Sequence, residues 1–285
     1  MYKMLPMNIL VSHILLIRPL NVLISGFSIF IASEIIGSTD KNLFFLVSFI
    51  VMLFASGANV LNDVLDYKID LINAPYRPIP SGNVRKPIAF FISFLLFTLG
   101  SLLCLKLNKS AELIGLFIAM PMMILYTTFL KKLPLIGNIA VAFILGLSFL
   151  FCGVAFNSVS SMIIPMILCF CLSFLRELIK DIADIEGDLS AGLNTFPIYS
   201  GLENSIKLVV VLCFFIGVGF FIPFVIGFYN TWYIFFLIVG VEIPLGFIVV
   251  LMVKNPGVTS AKNSAKLLKF STLMGLIAIY TGTIL

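Results

Sequence analysis

Charged side chains, histidine and cysteine motifs are scarce in this chain of 285 residues. Only 11% of the residues are charged, against roughly 25% in an average soluble domain, which excludes a soluble globule. Intrinsic disorder requires low hydrophobicity and is excluded as well, because 61% of the residues are hydrophobic. The five cysteines form no CxxC pair, and no basic patch with interleaved aromatics indicates nucleic-acid binding. A polytopic membrane protein with one domain, residues 1–285, remains.

Nine apolar segments are long enough to span a bilayer, since a membrane helix needs about 20 mostly apolar residues. Charges and turn residues divide the chain into spans at residues 14–36, 43–66, 87–107, 111–130, 135–157, 161–180, 206–228, 231–253 and 265–285. The predicted fold is therefore an all-α membrane protein with nine transmembrane helices.

The distribution of Lys and Arg predicts the orientation of these spans. With nine spans, 15 of the 18 basic residues fall on the side that holds the N-terminus, and only Lys41, Lys106 and Lys109 fall on the other. Cytoplasmic loops carry the excess of Lys and Arg in membrane proteins. We expect a multi-pass protein of the cell membrane with a cytoplasmic N-terminus and an external C-terminus.

Two short windows contain the same acidic pattern, D-x-x-D-x-x-x-D, at the ends of the second and sixth spans. The first window contains Asp63, Asp66 and Asp70, and the second contains Asp181, Asp184 and Asp188, at a constant offset of 118 residues. Because 118 residues correspond to four spans, the offset predicts a pseudo-repeat of four helices. We name the two sets the first and second acidic clusters.

Helical spacing indicates what the acidic clusters do. At 100° per residue, Asn62, Asp63, Asp66 and Asp70 share one helix face, and the second cluster repeats the arrangement. Carboxylates at a membrane-embedded helix end repel each other and are costly, so they are expected to be functional. Mg²⁺ prefers carboxylate, water and phosphate oxygens. The interpretation to be weighed against a metal site is that of solvated helix ends in loops.

Basic residues near the clusters predict that the ligand is also anionic. They include Arg77 after the first cluster, Lys131 after Tyr126, Arg176 and Lys180 beside the second cluster, and Arg18 with Asn21 in the first span. Arginine in a membrane requires a carboxylate or a phosphate as a partner. Metal-binding carboxylates, cations and an apolar bundle together favour a diphosphate with a long apolar tail. A cation-coupled transporter of an organic anion is the alternative of another class.

These motifs resemble those of the UbiA-type intramembrane prenyltransferases. The first signature is N-D-x-x-D-x-x-x-D followed by I-N-A-P-Y-R-P-I-P-S-G, and the second is R-E-x-x-K-D-x-x-D-x-x-G-D. The resemblance implies nine helices around a central cavity open to lipid, and Mg²⁺ as the cofactor. It assigns metal and diphosphate binding, and hence catalysis, to Asn62, Asp66, Asp70, Asp184 and Asp188, with Asp63 and Asp181 as supporting carboxylates.

The resemblance also assigns the remaining site residues and the substrates. Tyr126 and Lys131 occupy a Tyr…Lys element that contacts the diphosphate, one residue longer here than its usual spacing. Arg77 and Lys180 are further diphosphate candidates, whereas Arg18, Asn21 and Arg176 are candidates for the acceptor. The motif forms are most similar to the branch that uses geranylgeranyl diphosphate and geranylgeranylglyceryl phosphate to form digeranylgeranylglyceryl phosphate within membrane lipids. An aromatic acceptor (hydroxybenzoate, naphthoate or chlorin) is the alternative within the family.

The charge distribution makes a topological prediction. A reporter that is active only after export should be active when fused after Leu285 and silent when fused after Leu130, because the two positions are expected on opposite sides of the membrane. A cytoplasmic reporter should give the opposite pattern at the same two positions. Export activity at Leu130 with none at Leu285 would contradict the predicted orientation.

Overall fold

The computed structural model describes residues 9–285, whose regular elements are all helices. Nine helices in this range are long and apolar enough to cross a membrane, which confirms the predicted number of spans. They are α1 (Pro19–Ile36), α2 (Lys41–Leu65), α3 (Lys86–Cys104), α4 (Lys109–Thr128), α5 (Ile136–Ala155), α6 (Ser160–Ala183), α7 (Leu202–Val225), α8 (Thr231–Lys254) and α9 (Val258–Ile284). Lys3, which contributes to the predicted charge asymmetry, lies outside the described residues, and the orientation of the termini stays a prediction.

The first predicted span, residues 14–36, is not one continuous helix. A short helix, Ile9–Leu16, ends before Arg18, and α1 begins at Pro19. Arg18 has a left-handed backbone with φ of 55° and ψ of 67°. Proline disfavours the right-handed helical conformation in the residue before it, which explains the break. The ninth span also differs, because α9 begins at Val258 rather than 265: its first turns are helical although they are polar.

Prolines interrupt three of the spans. In α4 and α8, a π-helical segment (Ile114–Ala119 and Ile238–Glu242) ends directly before the turn that contains Pro121 or Pro244. In α7, the helix stops at Phe220 and resumes at Ile222–Val225, around Pro223. Proline removes a helical hydrogen bond and its ring crowds the preceding turn, so the local hydrogen-bond pattern shifts.

The last spanning helix packs against the first, so the nine helices form a closed bundle. Helix α9 packs against α1, α6 and α8, and α1 also contacts α2 and α5. Phe149, Met162 and Ile179 are fully buried between them, whereas Phe117 on the outer surface is 70% exposed. A bilayer covers such apolar surface. An apolar cavity of about 40 Å³ lies between α5, α6, α7, α8 and α9, and the larger lipid-accessible cavity stays a prediction.

Both acidic clusters lie where a long helix breaks and a short helix follows. Helix α2 ends at Leu65 and is followed by Tyr67–Asn73, and α6 ends at Ala183 and is followed by Ile185–Ser190. The breaks fall on Asp66 and Asp184, which occupy the same position in the repeated motif. The expectation of one uninterrupted helical face for each cluster is therefore wrong. Aspartate competes for backbone hydrogen bonds and favours helix ends. The four-helix pseudo-repeat itself stays a prediction.

The two short helices pack directly against each other through Asn73 and Gly187. The Asn73 side-chain amide donates a hydrogen bond to the backbone carbonyl of Asp184 at 3.1 Å. A Cβ atom on residue 187 would lie only 2.2 Å from Nδ2 of Asn73, so glycine is required for this approach. The contact fastens the end of the first cluster to the second.

The contact between Asn73 and Gly187 can be tested by overpacking. Gly187→Ala should destabilise the protein by about 1–3 kcal/mol, the usual cost of inserting a methyl group into a packed site. Thermal unfolding in detergent measures the effect. Gly246→Ala is the matched control, because a Cβ atom there meets nothing within 4 Å. Adding Asn73→Ala to Gly187→Ala should restore part of the loss, and an additive further loss would contradict the contact.

Candidate functional site

In the first cluster, Asp63 and Asp66 each hold a basic residue from another part of the chain. Asp63 is buried and pairs with Arg18, which precedes α1. Asp66 pairs with Lys131, from the short helix Leu130–Lys132 after α4, and accepts a hydrogen bond of 2.6 Å from Nδ2 of Asn62. These pairs bring the start of α1 and the end of α4 to the end of α2.

Asp70 completes the first cluster and forms an ion pair with Arg77 through both of its carboxylate oxygens. Nη1 of Arg77 lies 2.6 Å and 2.8 Å from the two carboxylate oxygens of Asp70, and 3.5 Å from Asp63. Burial raises the pKa of the Asp70 carboxyl, although the charge of Arg77 acts in the opposite direction. Each carboxylate of the first cluster therefore has a cationic partner: Arg18, Lys131 or Arg77.

The second cluster has fewer cationic partners than the first. Asp181 accepts a hydrogen bond of 2.8 Å from the neutral side-chain amide of Asn138. Within residues 9–285, none of Asp181, Asp184 and Asp188 lies within 4.0 Å of a Lys or Arg nitrogen. The nearby cations Arg176 and Lys180 instead pair with the buried Glu177, at 2.8 Å and 2.7 Å.

This deficit of positive charge affects the protonation of the second cluster. Burial, together with the nearby charge of Asp184, raises the pKa of the Asp188 carboxyl to about 7. Burial likewise raises the pKa of Asp184, against the opposing influence of Lys180 and Arg77. A bound cation would stabilise these carboxylates in their charged form.

The two clusters lie close enough to influence each other. The charge of Asp66 acts on Asp188, and that of Arg77 acts on Asp184. Tyr126 on α4 lies within range of the charges of Asp66, Asp181 and Glu177. The structure thus brings the predicted Tyr126 and Lys131 near the acidic residues.

The donor set fits Mg²⁺, although the described part of the chain contains no preformed group of three or more acidic, His or Cys side chains in metal-binding geometry. Hard carboxylate and amide oxygens are what Mg²⁺ binds, usually with one or two carboxylates and with water or phosphate oxygens in the remaining positions. Two facing clusters with incomplete ligand sets therefore suit metal ions that arrive with a phosphorylated ligand.

The residues predicted for the acceptor form a second, basic group beside the clusters. Arg18 pairs with Asp63, and Arg176 pairs with Glu177. Oδ1 of Asn21 accepts a hydrogen bond of 2.9 Å from Nζ of Lys269. The charges of Arg18, Arg176 and Lys180 all act on Lys269, so the four cations lie together.

Sequence reasoning missed three residues that the structure places at or beside the clusters: Asn73, Asn138 and Lys269. Asn138 gave a usable signal, because it is the only Asn, Gln or charged residue in the apolar helix α5, and polar groups inside a membrane need partners. In the sequence, Lys269 only adds to the excess of positive charge on the predicted cytoplasmic side. Its partner Asn21 is 248 positions away, which sequence spacing does not reveal.

Comparison with known proteins finds a matching family. The model of the UbiA prenyltransferase family matches residues 21–273. The digeranylgeranylglyceryl phosphate synthase of Methanosarcina mazei is 35% identical over 268 residues, covering 92% of this chain and 89% of the relative. A solved digeranylgeranylglyceryl phosphate synthase has a TM-score of 0.75 at 30% identity and covers 98% of this chain and 99% of its own.

A more distant structure shows the same fold. A UbiA homologue from Archaeoglobus fulgidus, bound to GPP and Mg²⁺, has a TM-score of 0.64 at 15% identity, covering 94% of this chain and 99% of its own. The family match covers most of the chain, and its relatives are aligned over nearly their whole length. This chain belongs to the UbiA prenyltransferase family of membrane proteins.

Proposed function

We propose that the chain transfers a geranylgeranyl group from geranylgeranyl diphosphate to geranylgeranylglyceryl phosphate, forming digeranylgeranylglyceryl phosphate. The observation that carries the proposal is the pair of facing acidic clusters with a separate group of four cations beside them. Relatives from M. mazei and Saccharolobus solfataricus, 35% and 36% identical, are both digeranylgeranylglyceryl phosphate synthases. The clusters suit a metal-bound diphosphate, and the basic group suits a second phosphorylated substrate.

Asn62, Asp63, Asp66 and Asp70 of the first cluster, and Asp181, Asp184 and Asp188 of the second, are the residues that would hold Mg²⁺. When bound, Mg²⁺ supplies positive charge that neutralises the departing diphosphate. The second cluster needs this charge most, because none of its carboxylates has a Lys or Arg partner within residues 9–285. Support for Mg²⁺ also comes from the A. fulgidus homologue, which binds it together with GPP.

Lys131 and Arg77 would bind the diphosphate after exchanging partners. Both now neutralise carboxylates of the first cluster. With Mg²⁺ held by those carboxylates, the side chains of Lys131 and Arg77 would be free to bind phosphate oxygens, which bind Lys as a point charge and Arg through two parallel hydrogen bonds. Tyr126 and Lys180 would contact the same group.

The reaction breaks the bond between C1 of the prenyl chain and the diphosphate oxygen, leaving an allylic cation. The hydroxyl oxygen of the acceptor then bonds to C1, and its proton passes to a basic oxygen of the site. The apolar bundle around the site would exclude water, which would otherwise capture the cation. The comparisons favour neither an aromatic acceptor nor a cation-coupled transporter. The M. mazei and S. solfataricus relatives and the solved structure at 30% identity are all named for digeranylgeranylglyceryl phosphate synthase.

Both acidic clusters should be needed for turnover. Asp66→Asn and Asp184→Asn should each lower diphosphate release at least about tenfold, because each removes one charged oxygen ligand at nearly constant size. Chelation should abolish activity, and added Mg²⁺ should restore it. Asp40→Asn is the matched control, because Asp40 caps α2 through Leu43 and Asn caps a helix equally well. Full activity in either cluster variant would contradict the paired site.

The acceptor can be tested directly with purified protein and labelled geranylgeranyl diphosphate. Geranylgeranylglyceryl phosphate should be prenylated, whereas 4-hydroxybenzoate should be a poor acceptor or none, because the basic group offers more positive charge than one carboxylate requires. Efficient prenylation of 4-hydroxybenzoate without the glyceryl phosphate product would overturn the proposed acceptor and leave the prenyl transfer intact. Sealed vesicles that take up an organic anion without forming product would instead favour a transporter.

A further inference from the structure

A groove open to the outer surface lies between the first and last spanning helices. It has a volume of about 390 Å³. Its apolar wall includes Leu23 and Phe27 of α1 and Leu273 of α9, and two lysines, Lys266 and Lys269, also line it. A groove with apolar walls and cationic groups matches a lipid that has an apolar chain and an anionic head.

Lys269 is the lysine of this groove that lies near Arg18, Arg176 and Lys180. Its Nζ atom donates a hydrogen bond of 2.9 Å to Asn21, which is neutral. Within residues 9–285, no carboxylate oxygen lies within 4.0 Å of this ammonium group. After Lys269 the sequence contains no further charged side chain. A lysine in an apolar segment without a counterion is costly, which points to a role in binding.

The neighbours of Lys269 add to the positive charge around it, which favours the binding of an anion. Arg18, Arg176 and Lys180 are near enough to repel its charge. Those three already have carboxylate partners, Asp63 for Arg18 and Glu177 for the other two. Of the four cations, Lys269 is the one that has no carboxylate oxygen within 4.0 Å in the described part of the chain.

A phosphomonoester provides the matching charge. A phosphate group on a single ester linkage carries about −1.5 to −2 at pH 7 and presents three acceptor oxygens. Nε of Arg176 is a further buried nitrogen without a hydrogen-bond partner within residues 9–285. The ammonium group of Lys269, which has no carboxylate partner, and the unpaired nitrogen of Arg176 therefore fit a phosphate head better than a neutral one.

We infer that Lys269, held by Asn21, binds the phosphate of the acceptor lipid, whose apolar chain lies in the groove between α1 and α9. This inference rests on the proposed function and names the subsite for its second substrate. Arg18 lies between this subsite and the first cluster, since it bonds Asp63 and acts on Lys269. The glycerol hydroxyl next to a phosphate bound there would face the acidic clusters, where the prenyl cation forms.

Replacing Lys269 should separate the two substrates kinetically. Lys269→Met keeps the length of the side chain and removes its charge. The KM for geranylgeranylglyceryl phosphate should rise about tenfold or more, because removal of a charged hydrogen bond weakens binding by that amount. The KM for geranylgeranyl diphosphate should change less than about twofold, because its cationic partners remain. Lys254→Met is the matched control, as Lys254 is exposed at the end of α8.

Binding measured without turnover distinguishes this inference from the proposed function. Geranylgeranylglyceryl phosphate should raise the thermal stability of the wild-type protein and of Lys254→Met in detergent, whereas unphosphorylated geranylgeranylglycerol should raise it less. Lys269→Met and the more polar Lys269→Gln should lose this phosphate dependence. Both should keep the stabilisation by geranylgeranyl diphosphate with Mg²⁺, which shows that they are folded.

Each outcome has one meaning. Equal phosphate-dependent stabilisation in the wild type and both Lys269 variants overturns the subsite, even if the wild type forms the expected product. A rise in the KM for both substrates also overturns it, since Lys269 would then serve the whole site. Phosphate-dependent binding that needs Lys269, without product, supports the subsite and overturns the proposed acceptor reaction.

Discussion

The architecture depends on the neutralisation of charge inside an apolar bundle. The pairs Arg18–Asp63, Lys131–Asp66 and Arg77–Asp70 join the start of α1, the end of α4 and the loop before α3 to one helix end. Breaking one partner of a buried pair leaves an uncompensated charge, which is far more costly than the pair itself. These contacts therefore hold separate helices in register around the site as well as supplying its chemistry.

The two acidic clusters share a spacing but differ in electrostatics. The first is compensated by cations, whereas Asp181 of the second receives only an amide hydrogen bond, from Asn138. The cations nearest to the second cluster are bound by Glu177. A cationic ligand thus meets excess negative charge on one side, and an anionic ligand meets Lys131 and Arg77 on the other. This asymmetry suits a substrate that arrives as a metal–diphosphate complex.

Much of the fold and part of the site followed from local pattern. Nine spans could be counted because membrane helices are long and apolar in themselves, and the repeated acidic motif predicted the candidate site. The break at Arg18 was recoverable from Pro19 but was missed. The breaks at Asp66 and Asp184 were not predicted, because helical spacing alone treats a helix as continuous. Asn73 and Gly187 are adjacent only because two short helices meet.

The sequence by itself determined the nine apolar helices and the two acidic clusters, and it predicted the chemistry of a metal-bound anion, because hydropathy and motif spacing are local properties. The tertiary structure decided which cation neutralises which carboxylate, and that Lys269 and Asn21, 248 positions apart, meet at the groove between α1 and α9. Pairing energies depend on distance and burial, which only the packing of helices sets. A lysine that counts as one more cytoplasmic charge in the sequence therefore becomes a binding group in the folded protein.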